Sequence, residues 1–414
     1  MNNLKERKLN HQQKQLIIWI AALFVGVAIG LLQIEQVNRL MDFIATIYIR
    51  LFQLLAVPTI ALAIITTLAY FGNQKDSGLI FRRTIRYTLL TTFSASLVAL
   101  VLYWVIAPEN LPKEMIKTAE GAIPADIGTL TYYDHIISVI PNNIVKPFSE
   151  GNVLAVLLLA FAIGYALIKI PDSESKATVV RLFSGFQDIL FYLIKLVIWA
   201  LPLGIVAFSA QLASQLGSGI AIDSIGRYVA VIISGNMIQF FVILPLFLLA
   251  RGLNPIKVLK GMMPAIVMAL FTKSSVATLP LTMTTAEKQL GVAPKVARFV
   301  LPVCTTINMN GCAAFILVTS LFVMQNGGTP LTLLTMLFWV VISVVLAIGN
   351  AGVPMGCFFL TLSLMSGIGA PVGIMGLILP IYTIIDMIET AENVWSDACV
   401  SVMTNEDLKA KNVS

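Results

Sequence analysis

Ten long apolar runs follow one another along the 414-residue chain, and this pattern constrains the fold more than any other feature. A membrane-spanning helix needs about 20 apolar residues. Only 12% of the residues are charged, whereas soluble domains carry roughly 25%. A soluble globule is therefore excluded, and a polytopic, all-α membrane protein is expected. The runs begin near Leu16, Phe43, Tyr87, Ile136, Leu182, Tyr228, Pro264, Phe299, Leu331 and Gly373.

Basic residues are distributed unevenly between the connectors. Segments 1–15, 71–86, 168–181 and 251–260, together with the tail, hold sixteen lysines and arginines, and the alternate connectors hold four. Because cytoplasmic loops carry more Lys and Arg, both termini are expected in the cytoplasm. The first run lacks a small-residue cleavage site, which favours a retained helix over a signal peptide.

Two of the apolar runs are interrupted at mid-length, by Thr-Lys-Ser-Ser at 272–275 and by Gly-Asn-Ala-Gly-Val-Pro at 349–354. The parity of the spans does not distinguish ordinary helices from hairpins, since both leave the C-terminus inside. Unwound backbone at membrane depth is tolerated only within protein or beside a water-filled cavity. Two re-entrant hairpins are therefore expected, one from each side, and such broken segments indicate a transport site.

The last apolar run carries a polar stripe. Asp386, Thr390, Asn393 and Asp397 fall within about 40° of one direction on a helix, with Glu389 at the edge. An acid at mid-membrane costs roughly 2.5–3.5 kcal/mol on insertion scales. Cations are the expected partners, because carboxylate and carbonyl oxygens suit sodium or an ammonium group.

Two neighbouring features allow more than one interpretation. Glu392 lies off the stripe, and it and Asp397 could instead occupy a solvated helix end. Residues 305–312, Thr-Thr-Ile-Asn-Met-Asn-Gly-Cys, predict a locally unwound turn, because Gly311 weakens a helix by about 1 kcal/mol relative to alanine. Polar packing between helices is the alternative for this stretch.

Other classes of function lack their sequence signals. The chain has no Gly-x-Ser-x-Gly, His-Glu-x-x-His or nucleotide-binding loop, which argues against an enzyme or a primary pump. The cysteines at 304, 312, 357 and 399 and the two distant histidines fit neither a secreted disulfide framework nor a zinc site. The chain has no basic patch that would indicate nucleic-acid binding. A channel remains an alternative, which saturable, sodium-dependent flux would exclude.

Five ordered motifs resemble the dicarboxylate/amino acid:cation symporter family, the glutamate-transporter-like proteins. They are residues 140–146 followed by 150–152, 271–280, 306–311, 351–354 and 386–397. The resemblance covers nearly the whole chain and implies eight transmembrane helices plus two re-entrant hairpins. It also implies a homotrimer in the cell (inner) membrane, and secondary active symport by an elevator movement.

The resemblance divides the chain into a scaffold and a transport domain. Scaffold helices 1–2 would occupy 1–86, and an external loop with scaffold helices 4–5 would occupy 108–225. Helix 3 at 87–107 and helices 6–8 with both hairpins at 226–403 would form the transport domain, followed by a cytoplasmic tail at 404–414.

The family pattern also implies residue roles. Asp386 would hold the substrate's amino group, and Asn393 and the backbone at Ser275 would hold its carboxylate. The full substrate-binding set is Ser275, Cys312, Val353, Asp386, Glu389, Thr390 and Asn393.

Sodium is the implied coupling ion, and no other cofactor is expected. One site would combine Asp397 with carbonyls of Cys304, Asn308 and Asn393, and a second would use the carbonyls of Thr306, Ala347, Ile348 and Asn350. A third would draw on Thr91, Thr92, Asn308 and Asn310.

Departures from the family pattern bear on the substrate and on the number of ions. Members that carry acidic substrates have an arginine where this chain has Glu389, a threonine at Cys312, an aspartate at Asn310 and a tyrosine at Thr88. The string from 386 to 393 is similar to the sodium/serine-threonine branch. A small neutral amino acid is therefore expected, with a basic side chain as runner-up and acidic substrates, dicarboxylates or proton coupling as further alternatives. Fewer sodium ions are expected, and Lys273 would be a charge partner of Asp386 or Glu389.

Overall fold

The computed structural model describes residues 11–72, 78–112, 140–149, 153–215, 219–350 and 355–409, and these residues form helices and no strand. Residues 239–243 form one π-helical turn within a longer helix. The α-helices are α1 (His11–Leu31), α2 (Glu35–Gly72), α3 (Gly78–Ile106), α4 (Lys146–Ser149), α5 (Val153–Lys169), α6 (Glu174–Gln215), α7 (Gly219–Ile238), α8 (Leu244–Leu249), α9 (Pro255–Thr272), α10 (Ser275–Leu290), α11 (Pro294–Ile307), α12 (Asn310–Asn326), α13 (Leu333–Ile348), α14 (Gly356–Gly367) and α15 (Gly373–Lys409).

Six helical segments of the described chain are long and apolar enough to cross a membrane, so the chain is a multi-pass membrane protein. Shorter apolar helices include parts of α1 and α2, together with α5, α13 and α14. The six segments are Gly78–Ile106, Glu174–Gln211, Asp223–Leu249, Pro255–Thr272, Pro294–Asn326 and Gly373–Lys409.

Local sequence sets the helix ends around the interrupted runs. The side chain of Asn254 accepts a hydrogen bond from the Lys257 N–H (3.1 Å) before α9, and Ser274 accepts one from the Ala277 N–H (3.2 Å) before α10. These are N-cap bonds, which satisfy free donors at a helix start. Gly291 ends α10 with φ +66, a left-handed conformation that glycine adopts without penalty.

The helices pack in two groups. In the first group α1 and α2 pack against α6, and α2 also packs against α5, while α3, α7 and α9–α15 make a second set of contacts. α9 packs against α10, and both α13 and α14 pack against α12. The two groups touch where α14 meets α2 and α5, where α15 meets α6, and where α1 meets α9. α9, α14 and α15 of the second group therefore contact the first group directly.

The predicted interruptions are real breaks in the helices. α9 and α10 are separated by two residues, and so are α11 and α12, at Asn308 and Met309. α13 ends at Ile348 and α14 begins at Gly356, while residues 351–354 lie outside the described residues. The third helix begins at Gly78 rather than Tyr87, and the last one continues to Lys409, because polar residues at both helix ends extend beyond the apolar runs.

Candidate functional site

The three helix breaks converge on the polar stripe of α15. Lys273 and Met355 are non-glycine residues in the left-handed conformation, with φ of 54° and 60°. Such backbone costs about 1–3 kcal/mol per residue and persists where surrounding contacts hold it. Met355 is held by a hydrogen bond from its N–H to Asp386 Oδ2 (3.3 Å), and Lys273 by one from its ammonium to the Thr383 carbonyl (2.6 Å).

Asp386 is the best-connected acid of the stripe. Its Oδ1 accepts a bond from the Tyr382 hydroxyl (3.4 Å) in addition to the Met355 bond, and its carbonyl accepts one from the Thr390 hydroxyl (2.7 Å). The side chain is 4% exposed. The acid therefore lies at the junction of α14 and α15, buried but with weak, long hydrogen bonds to its carboxylate.

Glu389 shares the Tyr382 hydroxyl with Asp386. Its Oε2 accepts from that hydroxyl (3.3 Å), while its Oε1 is buried without a hydrogen-bond partner among the described residues. A buried acceptor left without a partner costs about 1–3 kcal/mol. The free oxygen is therefore positioned to accept a hydrogen bond from a bound molecule.

Asn393 links α15 to the break between α11 and α12. Its Oδ1 accepts from the Gly311 N–H (3.0 Å), and its Nδ2 donates to Cys312 Sγ (3.5 Å). A Cβ at Gly311 would lie 2.8 Å from the Glu389 Cα, so only glycine allows this approach. Ser275 is buried in the first turn of α10, which packs against α15, and Val353 lies outside the described residues.

Lys273 forms no direct ion pair with Asp386 or Glu389 in the described part of the chain. Its ammonium lies 4.0 Å from the centre of the Trp19 ring on α1, besides bonding the Thr383 carbonyl. Thr383 precedes Asp386 by three residues. The lysine therefore neutralises this region from one helical turn away, and also links the break after α9 to the first group of helices.

A second polar cluster surrounds Asp397, which is fully buried. The Asn308 amide donates to Asp397 Oδ1 and to Ser396 Oγ, both at 2.9 Å, and its Oδ1 accepts from the Thr91 hydroxyl (3.0 Å). Asp397 Oδ2 has no partner within the described residues. The cluster therefore offers a carboxylate oxygen that no protein donor occupies.

The residues expected at a third ion site also lie together. The Thr92 hydroxyl donates to Asn310 Oδ1 (3.0 Å), and the Asn310 amide donates to Ser396 Oγ (2.9 Å). No carboxylate hydrogen-bonds to Thr92 or Asn310 among the described residues, and Ser396 joins this group to the Asp397 cluster.

The carbonyls expected at the sodium sites are partly engaged. The Cys304 carbonyl accepts from the Asn308 N–H (2.8 Å), and the Ala347 carbonyl accepts from the Asn350 N–H (3.2 Å). Each carbonyl retains a second lone pair. The Thr306 hydroxyl bonds the Val303 carbonyl (2.8 Å), and Ile348 is the last residue of α13.

The sequence reasoning missed three residues. Tyr382 continues the stripe of α15 at one turn before Asp386, so helical periodicity could have found it. Ser396 is next to Asp397 but lies off the stripe, and its contacts with Asn308 and Asn310 gave no sequence signal. Cys357 forms a disulfide with Cys312, with Cα atoms 5.4 Å apart. The cysteines were expected to form no disulfide framework, and a separation of 45 residues gives no signal for this pairing.

The solvated alternative for Glu392 and Asp397 is wrong, since they are 1% and 0% exposed. Both Glu392 oxygens are buried without a partner among the described residues. α15 extends beyond them by more than two turns, to Lys409, so neither residue lies at its end.

Comparison with known sequences decides the family. The sequence profile of the sodium:dicarboxylate symporter family matches residues 16–407. The chain belongs to the sodium:dicarboxylate symporter family. The family resemblance expected from the motifs is therefore confirmed, and the relatives found are transporters rather than enzymes.

Relatives of the chain include neutral and excitatory amino acid transporters. Neutral amino acid transporter B(0) of Oryctolagus cuniculus is 33% identical over 254 residues, which are 60% of this chain and 46% of that protein. The putative sodium-dependent excitatory amino acid transporter glt-6 of Caenorhabditis elegans is 26% identical over 437 residues, covering 96% and 80% of the two chains. The match thus spans less than half of the first relative and most of the second.

Proposed function

We propose that this symporter imports a small neutral amino acid of the serine or threonine type, driven by sodium, through an elevator alternating-access movement. One observation carries the proposal: buried Asp386 lies on the same helix face as Thr390 and Asn393, at the junction of three helix breaks. A substrate ammonium group would pair with Asp386. Its carboxylate would bind Asn393 and the N–H groups at Ser275, because helix N-termini attract anions.

The side-chain preference would be set by Glu389. A carboxylate here repels an acidic substrate, and its unpartnered Oε1 can accept a hydrogen bond from a hydroxyl. Cys312 and Thr390 would line the same space, and Val353 would add a backbone contact. A basic side chain paired with Glu389 is the runner-up. The relatives include both neutral and excitatory amino acid transporters, so acidic substrates, dicarboxylates and proton coupling are the alternatives that the uptake experiment tests.

Sodium would bind in two places. The free Asp397 Oδ2 with carbonyls of Cys304, Asn308 and Asn393 makes an oxygen set that suits a hard cation. The other site would use carbonyls at the ends of α11 and α13, from Thr306, Ala347, Ile348 and Asn350.

A third sodium ion would bind weakly near Thr91, Thr92, Asn308 and Asn310, because the site has no acid of its own and affinity falls with ligand charge. The proposal therefore couples transport to two sodium ions. Each net charge that moves inward contributes about 2.3 kcal/mol at 100 mV.

We propose the family architecture for the whole molecule. Eight transmembrane helices and two re-entrant hairpins would divide into a trimerisation scaffold and a mobile transport domain. The scaffold would contain α1, α2, α5 and α6, which pack together. The protein would lie in the inner membrane of the cell, with both termini in the cytoplasm.

Uptake by the purified protein in proteoliposomes tests the function. Radiolabelled serine, threonine, aspartate and lysine are compared with and without an inward sodium gradient. We expect saturable accumulation of serine or threonine that requires sodium. Strong aspartate uptake that serine and threonine do not inhibit would overturn the neutral-substrate proposal, and flux linear in concentration would indicate a pore.

Substitution of the two best-placed acids tests the site. We expect Asp386→Asn and Asp397→Asn to reduce accumulation by roughly 10- to 100-fold, because charge-assisted hydrogen bonds contribute about 1.5–3 kcal/mol. Asp188→Asn, at an exposed position of α6, is the matched control and should retain uptake. Unchanged accumulation in both site variants would refute the assignment.

A further inference from the structure

Two sulfur atoms and a carboxylate meet beside the proposed substrate site. Cys312 on α12, Cys357 on α14 and Glu389 on α15 place their ligand atoms within 4.8 Å of one another. All three residues are at most 3% exposed. Glu389 Oε1 has no hydrogen-bond partner within the described ranges, so one possible metal-ligand atom of this cluster is unoccupied by protein.

The surroundings favour negative charge on the sulfur atoms. The Asn350 amide donates to Cys312 Sγ (2.9 Å) and to Cys357 Sγ (3.3 Å), and Asn393 donates to Cys312 Sγ (3.5 Å). N–H donors around a thiolate ligand orient and stabilise it, as the outer shell of a metal site does. Sodium prefers oxygen, whereas two thiolates and one carboxylate are typical ligands of zinc and its softer homologue cadmium.

We propose that the reduced Cys312–Cys357 pair and Glu389 form a binding site for a soft divalent cation such as Zn²⁺ or Cd²⁺. Three protein ligands leave a fourth position for water or substrate. A bound ion connects α12, α14 and α15, and it occupies the Glu389 oxygen that a substrate hydroxyl would use. Binding of the ion therefore inhibits transport. Binding of the metal is independent of whether the proposed substrate is correct, whereas the inhibition of transport rests on the proposed function.

The disulfide in the structure and the metal site exclude each other. A phosphine reductant and one water convert the disulfide to two thiols and a phosphine oxide. The metal ion then displaces the two thiol protons to solvent. Diamide, an azo oxidant, forms the disulfide again: it takes two hydrogens from the thiols and becomes a hydrazine.

Cadmium titration of the purified full-length chain in detergent tests the site without substrate or gradient. After the protein is reduced with the phosphine and the phosphine is removed, we expect one Cd²⁺ to bind per chain. Binding is measured by the ultraviolet thiolate-to-metal absorption. Cys312→Ser and Cys357→Ser should each weaken binding by roughly a hundredfold, and Glu389→Gln by about tenfold. Cys399→Ser removes a buried cysteine outside the cluster and should leave the titration unchanged.

The oxidation state of the wild-type chain provides a test that needs no variant. Diamide-treated protein should not show the absorption, and renewed reduction should restore it. Equal binding before and after oxidation would overturn the proposal, as would an absence of binding in the reduced protein. Loss of the signal in Cys399→Ser with retention in Cys357→Ser would do the same. Failure of amino acid uptake, by contrast, would bear only on the proposed transport function.

Discussion

At the scale of single residues, Glu392 is the side chain whose surroundings least suit its chemistry. It lies in a 37-residue helix, 1% exposed, and neither of its oxygens has a hydrogen-bond partner in the described chain. Burying such a group costs free energy, whereas an apolar group of the same shape is close to neutral. Stability therefore does not explain why this position is acidic.

We expect Glu392→Met to raise the free energy of unfolding by about 1–3 kcal/mol, because it removes unpartnered buried acceptors and keeps the side-chain length. Thermal unfolding of the purified protein in detergent measures the change. Glu406→Met, at a partly exposed position near the end of the same helix, is the matched control and should have little effect. A lower unfolding temperature for Glu392→Met would show that the carboxyl is satisfied after all.

Helical periodicity predicted most of the buried stripe from the sequence. Asp386, Thr390 and Asn393 share a buried face, as their spacing indicates. Their partners across the fold could not be predicted, because the Met355 N–H reaches Asp386 only through a left-handed backbone between distant segments. The pairing of Cys357 with Cys312 could not be predicted either, because it depends on how α12 and α14 pack.

At the scale of elements, the start of α12 depends on a close approach between helices. The space at Gly311 is bounded by the Glu389 Cα at 2.8 Å and by Asn236 Oδ1 at 2.9 Å from an added Cβ. The sequence predicted a weakened helix at this glycine. The packing against α15, which the sequence does not show, gives the stronger reason for it.

We expect Gly311→Ala to destabilise the protein by about 1–3 kcal/mol and to impair uptake, because backbone of α12 and α15 must separate. Gly226→Ala on α7 is the matched control, since nothing lies within 4 Å of an added Cβ there. Thermal unfolding and uptake are measured on both variants. Equal behaviour of the two would mean that α12 shifts without cost.

The end of α15 is held by a charged cluster. Asp407 accepts a hydrogen bond from the Tyr87 hydroxyl (2.8 Å) and pairs with Arg83 (3.2 Å) and Arg251 (3.0 Å). The Asp407 side chain is only 10% exposed. This cluster connects α3, the turn after α8 and α15, so that three elements depend on one carboxylate.

Asp407→Asn should lower the free energy of unfolding by about 1.5–3 kcal/mol, since it leaves two arginines without their partner. Glu406→Gln is the control, because its contact with Lys409 is long (3.7 Å) and exposed. Such surface pairs contribute about 0–1 kcal/mol. Similar unfolding temperatures for Asp407→Asn and the control would remove the cluster from the account of stability.

At the scale of the whole molecule, composition and loop charge predicted a multi-pass membrane protein, and the six apolar segments confirm that class. The count of spans was not predictable in the same way. Helix breaks at 272–275 and near residue 308 divide apolar stretches into shorter helices. The length of such a helix alone does not show whether it is half of a re-entrant hairpin or part of a transmembrane span. Packing of distant helices determines that difference.

Reporter fusions test the orientation. Fusions of a cytoplasm-active fluorescent protein at either terminus should fluoresce, and an alkaline phosphatase fused at either end should stay inactive, because connectors rich in Lys and Arg are expected on the cytoplasmic side. A phosphatase fused at Pro112, in the non-helical segment after α3, is the control and should be active. Opposite results at the two termini would require an odd number of spans.

α15 contains a long uninterrupted stretch that connects the polar stripe to the C-terminal end of the helix. Between Asp386 and Asp407 the chain contains neither glycine nor proline, the usual causes of a kink. At 1.5 Å per residue this stretch is about 32 Å long, comparable with the hydrocarbon thickness of roughly 30 Å. A tilt or displacement of the stripe is therefore reproduced at the far end of the helix. A spectroscopic label near Glu406 would report such a movement from the far end of the helix, away from the residues proposed to bind.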